Sequence, residues 1–152
     1  MLYQLEKLNE AEKELVLNAP AYITLLIAGA DDDITEGEIR RSLQLVHVKS
    51  YSESLDIRDI YQEIEHDFEG QLNQLIDSLP KTLNEREAIL TEKLSGLNSI
   101  FPKIEERVAR KYYASLLSFA TFIAQAAGGV LGFERVSYRE EKFVKLPMVQ
   151  EP

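Results

Sequence analysis

The chain contains no cysteine among its 152 residues. That absence excludes disulfides, thiol catalysis, iron–sulfur clusters and thiolate zinc sites, and it fits a reducing compartment. Histidine is scarce as well, with His47 and His66 alone. Positive charge is outnumbered: 17 Lys and Arg stand against 26 Asp and Glu, for a net charge of −9 and a pI near 4.8. Phosphate contacts need clustered Lys and Arg, so this balance argues against a nucleic-acid partner. It also disfavours anionic lipid and leaves a cation or a basic protein as compatible partners. Strict apolar–polar alternation, the mark of half-buried strands, is nearly missing. No Gly-x-Ser-x-Gly, phosphate-binding loop, dinucleotide fingerprint or Ser–His–acid set is present. The start, Met1-Leu2-Tyr3-Gln4-Leu5-Glu6-Lys7, lacks the charged-then-apolar pattern of a signal peptide, which reads as a cytoplasmic protein.

One long stretch lacks charge altogether. Tyr112 to Phe133 is long enough to test as a membrane span. Ser115, Ser118, Thr121, Gln125 and the pair Gly128-Gly129 interrupt its apolarity, so it reads as a buried core helix and not as a transmembrane segment.

What remains is helical period. Four positions have the spacing of a capping box, in which an N-cap oxygen and a Glu three residues on satisfy each other's backbone N–H groups: Asn9 with Glu12, Thr35 with Glu38, Asn84 with Glu87, and Ser137 with Glu140. Ile34 and Ile39 add a hydrophobic staple to the second. Helices are expected over about Asn9–Ala30, Glu36–Lys49, Glu53–Leu79 and Glu85–Leu97, then from Pro102 to Gly128-Gly129, with a short one after Ser137. Pro20 removes an N–H and crowds the preceding turn, which predicts two helices or one kinked helix with a break near Asn18. The third helix should bury Ile57, Ile60, Tyr61, Ile64, Phe68, Leu72, Leu75 and Leu79. The uncharged helices Ala19–Ala30 and Arg110–Ala127 should form the centre. The expected fold is all-α: one compact bundle of about six or seven helices over residues 1–146, with a weak internal pseudo-repeat and a flexible tail at 147–152.

The segment Ala28-Gly29-Ala30-Asp31-Asp32-Asp33-Ile34-Thr35-Glu36-Gly37-Glu38 carries the most chemistry. It sets three aspartates at a helix C-terminus, where the macrodipole disfavours negative charge and backbone carbonyls have lost their partners. Oxygens crowded in this way suit a hard cation. The competing reading is a solvated acidic connection that only assists the next helix. The loop is not an EF-hand, because Ser42 stands where the bidentate Glu belongs and Glu36 replaces the turn glycine. Glu63-x-x-His66 has di-iron spacing, but it has no second motif and reads as an exposed face with Asp59 and Asp67. The Gly128–Gly132 loop follows a helix and lacks the strand context of a phosphate cradle.

Asn18-Ala19-Pro20, the apolar run to Ala30, the acidic loop and Thr35-x-x-Glu38 together resemble the TerB-like helical family, named for bacterial tellurite-resistance proteins. The resemblance covers about Asn9 to Leu146, although its specific motif is short. It implies a non-enzymatic helical bundle linked to stress responses, with acidic loops that bind metal. Carried onto this chain, the ligand set is Asp31, Asp32, Asp33, Glu36 and Glu38, for Ca²⁺, Mg²⁺ or Mn²⁺. The family's glycine after the first Asp is absent. The second loop, Ala126 to Val136, is longer and has glycines at its early acidic positions, leaving Glu134, Glu140 and Glu141 as contributors. The alternative is a protein-interaction module without metal, its acidic loop being solvated surface. A protein partner is expected, and a homo-oligomer is left open.

Overall fold

The computed structural model describes residues 2–29, 34–128 and 142–152. Five long helices account for most of them: α1 (Glu10–Ala28), α2 (Glu36–Ser52), α3 (Leu55–Ser78), α4 (Leu83–Ser95) and, after a four-residue turn α5 (Leu97–Ile100), α6 (Glu106–Gly128). Short 3₁₀ turns lie at Tyr3–Leu5 and Phe101–Lys103. There is no strand among the described residues. The all-α expectation holds, with fewer long helices than the six or seven expected.

The centre is the second half of α1. From Asn18 to Ala28 every residue is buried, enclosed by α3, α4 and α6. No charge falls between Val16 and Ala28, which is the condition for burying a helix on all sides without a desolvation penalty. α6, by contrast, buries only one stripe, with Tyr112, Leu116, Phe119, Ala120 and Ile123 inside and Ala114, Ser118, Thr121, Phe122 and Gln125 exposed. α1 and α6 do pack together, but only α1 is central.

Pro20 does not divide α1. A proline leaves the carbonyl four residues earlier without its amide donor, here that of Val16. The Tyr112 hydroxyl on α6 donates to Val16 O at 2.6 Å. The Pro20 carbonyl accepts from its own amide ladder and from Thr24 Oγ1 at 2.8 Å. The helix therefore runs on because tertiary structure supplies the missing donor.

Other boundaries shift for local reasons. The caps at Asn9 and Thr35 are both closed boxes. Asn84 is not the N-cap: α4 begins at Leu83, Arg86 N bonds back to Thr82 O at 3.0 Å, and the N-cap residue is Thr82, whose side chain makes no cap bond. Pro102 lies in the 3₁₀ turn, and α6 starts only at Glu106. α2 runs three residues past Lys49. In α3 the expected stripe is buried from Ile57 to Leu72 and again at Leu79, with Leu75 partly buried. Ser137–Glu140 and the end of the second loop lie outside the described residues.

The C-terminal segment is anchored. Leu146 and Val149 are buried, Asn98 Nδ2 donates to Met148 O at 2.9 Å, and Gln150 N donates to Asn98 Oδ1 at 2.8 Å. Leu146 adopts a left-handed φ of 48°, a conformation unfavourable for a branched side chain, offset by complete burial of that side chain.

The Thr35 cap gives a direct test of this local structure. Thr35→Ala removes the acceptor for Glu38 N, 3.1 Å away, and should lower stability by about 1 kcal/mol in urea melts. Thr35→Ser, which keeps the oxygen, should lose far less.

Candidate functional site

Asp31, Asp32 and Asp33 lie outside the described residues, but both flanks of the acidic loop are defined. On the α1 side, the Gly29 carbonyl accepts a hydrogen bond from Arg86 Nη2 of α4 at 2.8 Å. A guanidinium at a helix C-terminus neutralises the macrodipole there. On the α2 side, Glu38 Oε1 accepts from Thr35 N at 2.8 Å, so this carboxylate is engaged by its own helix start. Glu36 is exposed to solvent. Glu36 and Glu38 thus share the first turn of α2, and only Glu36 points freely outward. Among the described residues no group of three or more His, Asp or Glu is arranged to hold a metal ion.

A second set of polar residues, absent from the sequence reading, lies between α2, α3 and α6, with Lys49, Tyr61 and Ser115 buried, Glu53 partly so and Ser118 at its exposed end. Lys49 occupies an inward position of α2, one step along from Ser42 and Val46 at helical spacing. Its ammonium donates to Glu53 Oε2 at 2.7 Å, Ser118 Oγ at 2.8 Å and Ser115 Oγ at 3.1 Å. All three of its N–H donors are therefore used. Ser115 donates in turn to Glu53 Oε2 at 2.5 Å, which makes Tyr61 the donor in its 2.7 Å contact with Ser115. Ser118 Oγ donates a hydrogen bond to Ser115 O at 2.9 Å. Burial pushes the Tyr61 hydroxyl far above the usual tyrosine range, and that of Tyr112 likewise, so both are fixed as donors. Lys, Ser and Tyr at these distances could suggest nucleophilic chemistry. A paired, fully satisfied ammonium is no general base, however, and none of these residues lines the hollows described below. The network locks three helices together.

The adjacent corner is locked similarly. Lys111 of α6 donates to Ser54 Oγ at 3.1 Å and pairs with Asp56, and it holds the Asp56 carboxyl below the usual carboxylate range.

The open surface with the most chemistry is a groove between α1 and α3. Two adjoining hollows of about 310 and 250 Å³ share Glu10, Leu17 and Glu63 as lining. Carboxylates face each other across it, Glu10 and Glu14 from α1, Glu63 and Asp67 from α3, above a floor that includes Leu17, Ile64 and Phe68. Helical spacing explains the set: 10, 14 and 17 share one face of α1, and 63, 67 and 71 one face of α3. Lys13 lies 3.5 Å from Glu10 at the end that opens toward Leu2 and Leu5. The backbone of α3 leaves helical geometry at Asp67 (φ −139°, ψ 24°). There the Asp67 carboxylate folds back over Gly70, where a Cβ would come within 2.6 Å of it, and Gln71 Nε2 donates to it at 3.4 Å. The glycine makes room for the carboxylate beside the groove.

The histidines separate. His66 lines this groove beside Glu63 and Asp67, as part of the acidic face read from sequence. His47 pairs instead with Glu65 across α2 and α3 and meets Tyr51 edge-on. No described helix is long and apolar enough to cross a membrane. No protein-family profile, curated protein or solved structure matches this chain.

Proposed function

We propose that this chain is a non-enzymatic, TerB-like accessory protein that acts by docking a basic, partly apolar segment of another protein in the α1–α3 groove. The observation that carries this reading is the set of facing carboxylates, Glu10 and Glu14 against Glu63 and Asp67, over an apolar floor. A helix with one Lys- or Arg-bearing edge and one apolar edge is complementary to both parts of that surface. A net charge of −9 draws such a segment in and repels polyanions. The saturation of the Lys49 network supports a non-enzymatic role, since its nucleophilic groups are committed to one another. The TerB-like resemblance sets this docking in a stress response.

The test uses a synthetic amphipathic helix with Leu on one face and Lys on the other, labelled for fluorescence anisotropy. It should bind, weaken as salt rises, and lose at least tenfold in affinity to a Glu14→Lys/Glu63→Lys protein. Glu69→Lys/Asp77→Lys makes the same change in net charge away from the groove and should retain most of the binding. Equal losses in the two proteins would reduce the effect to bulk charge and remove the groove from the account.

A divalent cation at Asp31–Glu38 is the second reading, resting on three consecutive aspartates after a helix C-terminus. With Arg86 already on the Gly29 carbonyl and Glu38 held by its cap, binding there is weak. Calorimetric titration of Ca²⁺, Mg²⁺ and Mn²⁺, with Asp31→Asn/Asp33→Asn as the control, measures it.

A further inference from the structure

The exposed face of α6 has a composition unlike the rest of the surface. From Tyr112 to Ala126 the sequence contains no charged residue, in a chain that is 28% Asp, Glu, Lys and Arg. Only part of that run is needed for the core. Ala114, Ser118, Thr121, Phe122 and Gln125 all face solvent, within about 60° of Ser118 around the helix axis at 100° per residue. Phe122 is 42% exposed. α2 lies alongside in the opposite direction, held by Arg41 Nη1 on Ala126 O at 2.8 Å and by Lys49 on Ser118. Val48, 39% exposed, and partly buried Leu45 lie on α2 between those two clamps.

We propose that this face is where a second copy of the chain docks, through antiparallel pairing of the two α6 helices about a two-fold axis at Ser118. Charge selects this occupant. Two copies each carrying −9 repel over most of their surfaces, whereas an uncharged face can meet its own image without like-charge contact. A basic partner gains nothing from a face with no carboxylate. Shape gives the register. An axis at Ser118 sets each Phe122 against Ala114 of the other copy, so the largest exposed side chain meets the smallest, twice, as an isologous interface requires. The paired uncharged stripe from Ala114 to Phe122 is roughly 12 Å long at 1.5 Å per residue, with Val48 and Leu45 widening one edge. At a helix width of about 10 Å such a stripe covers far less than the roughly 800 Å² per partner of a standard stable interface, so the dimer is weak and concentration-dependent. It is independent of the α1–α3 groove.

Sedimentation of the full chain between about 1 µM and 1 mM, a range suited to a weak interface, should show the mass rising from monomer toward dimer. Phe122→Glu, at an exposed position, should abolish that rise and leave the helical circular dichroism unchanged. Ala114→Lys should abolish it too. In the double variant Ala114→Lys/Phe122→Glu, each new lysine would face a new glutamate of the other copy, and the dimer should return at low salt. Because the chain has no cysteine, Ser118→Cys under oxidation can crosslink only between copies and should yield a covalent dimer. A monomer at every concentration overturns the proposal, as does a dimer indifferent to Phe122→Glu, or a double variant that stays monomeric.

Discussion

Lys49→Ala should be among the most destabilising substitutions at a polar position in this protein, lowering stability by about 3 kcal/mol, since removing one partner of a buried ion pair leaves an uncompensated charge behind. The side chains of Lys49 and Glu53 are 9% and 21% exposed, so solvent screens this pair little. Loss of the ammonium also strips Ser118 Oγ of a donor and leaves Glu53 facing the Ser115 hydroxyl alone. Replacing both charges by apolar groups is a different experiment. Lys49→Met/Glu53→Met removes the desolvation cost together with the attraction, and should recover most of the lost stability. The single variants Lys49→Met and Glu53→Met and the double, measured by urea denaturation, form a cycle whose coupling should exceed about 1 kcal/mol. A cost below that for Lys49→Ala, or additive behaviour in the cycle, would mean that the network is surface decoration and not a lock on α2, α3 and α6.

This lysine also shows how far the sequence could be read. Ser42, Val46 and Lys49 sit at helical spacing on the buried side of α2, so periodicity marks position 49 as inward. Residue type points outward, because a lysine is seldom buried without a partner. Its partners are Glu53 one turn on and two serines 66 and 69 residues away. Ser115 and Ser118 looked like interruptions in an apolar helix. They are the polar ends that a buried ammonium requires, and nothing local in the sequence links them to residue 49.

Helix existence and type were legible wherever a pattern was long, as in α3, and wherever a closed capping box marked a start, as at Asn9 and Thr35. Asn84 and Pro102 misled for one shared reason. Each has the right chemistry for a helix start, but the boundary is set by what the neighbouring turns pack against: α4 begins one residue before Asn84 with Arg86 tied to α1, and Pro102 is taken into a turn that buries Phe101. The groove was half legible. Glu63, His66 and Asp67 were read as an acidic face of α3, and Glu10 and Glu14 are plain in α1, but their opposition across a hollow depends on how the two helices pack.

The expected break at Pro20 leads to the other large effect. Tyr112→Phe removes one oxygen and nearly no volume, yet it leaves the Val16 carbonyl without the donor now 2.6 Å away. An unsatisfied buried carbonyl costs about 1–3 kcal/mol, and Tyr112 is only 1% exposed, so water cannot substitute. Stability should fall by about 2 kcal/mol on that basis. The cause can be isolated, because the carbonyl is orphaned by the proline. Pro20→Ala restores a backbone N–H at position 20, four residues beyond Val16, where the helix ladder needs it. In the Pro20→Ala background, Tyr112→Phe should therefore cost less than half as much as in the parent. The alternative account is that the tyrosine hydroxyl matters through the Tyr61 ring, whose centroid lies 6.0 Å from that of Tyr112. On that account the loss would be the same in both backgrounds, and the proline would have no part in it.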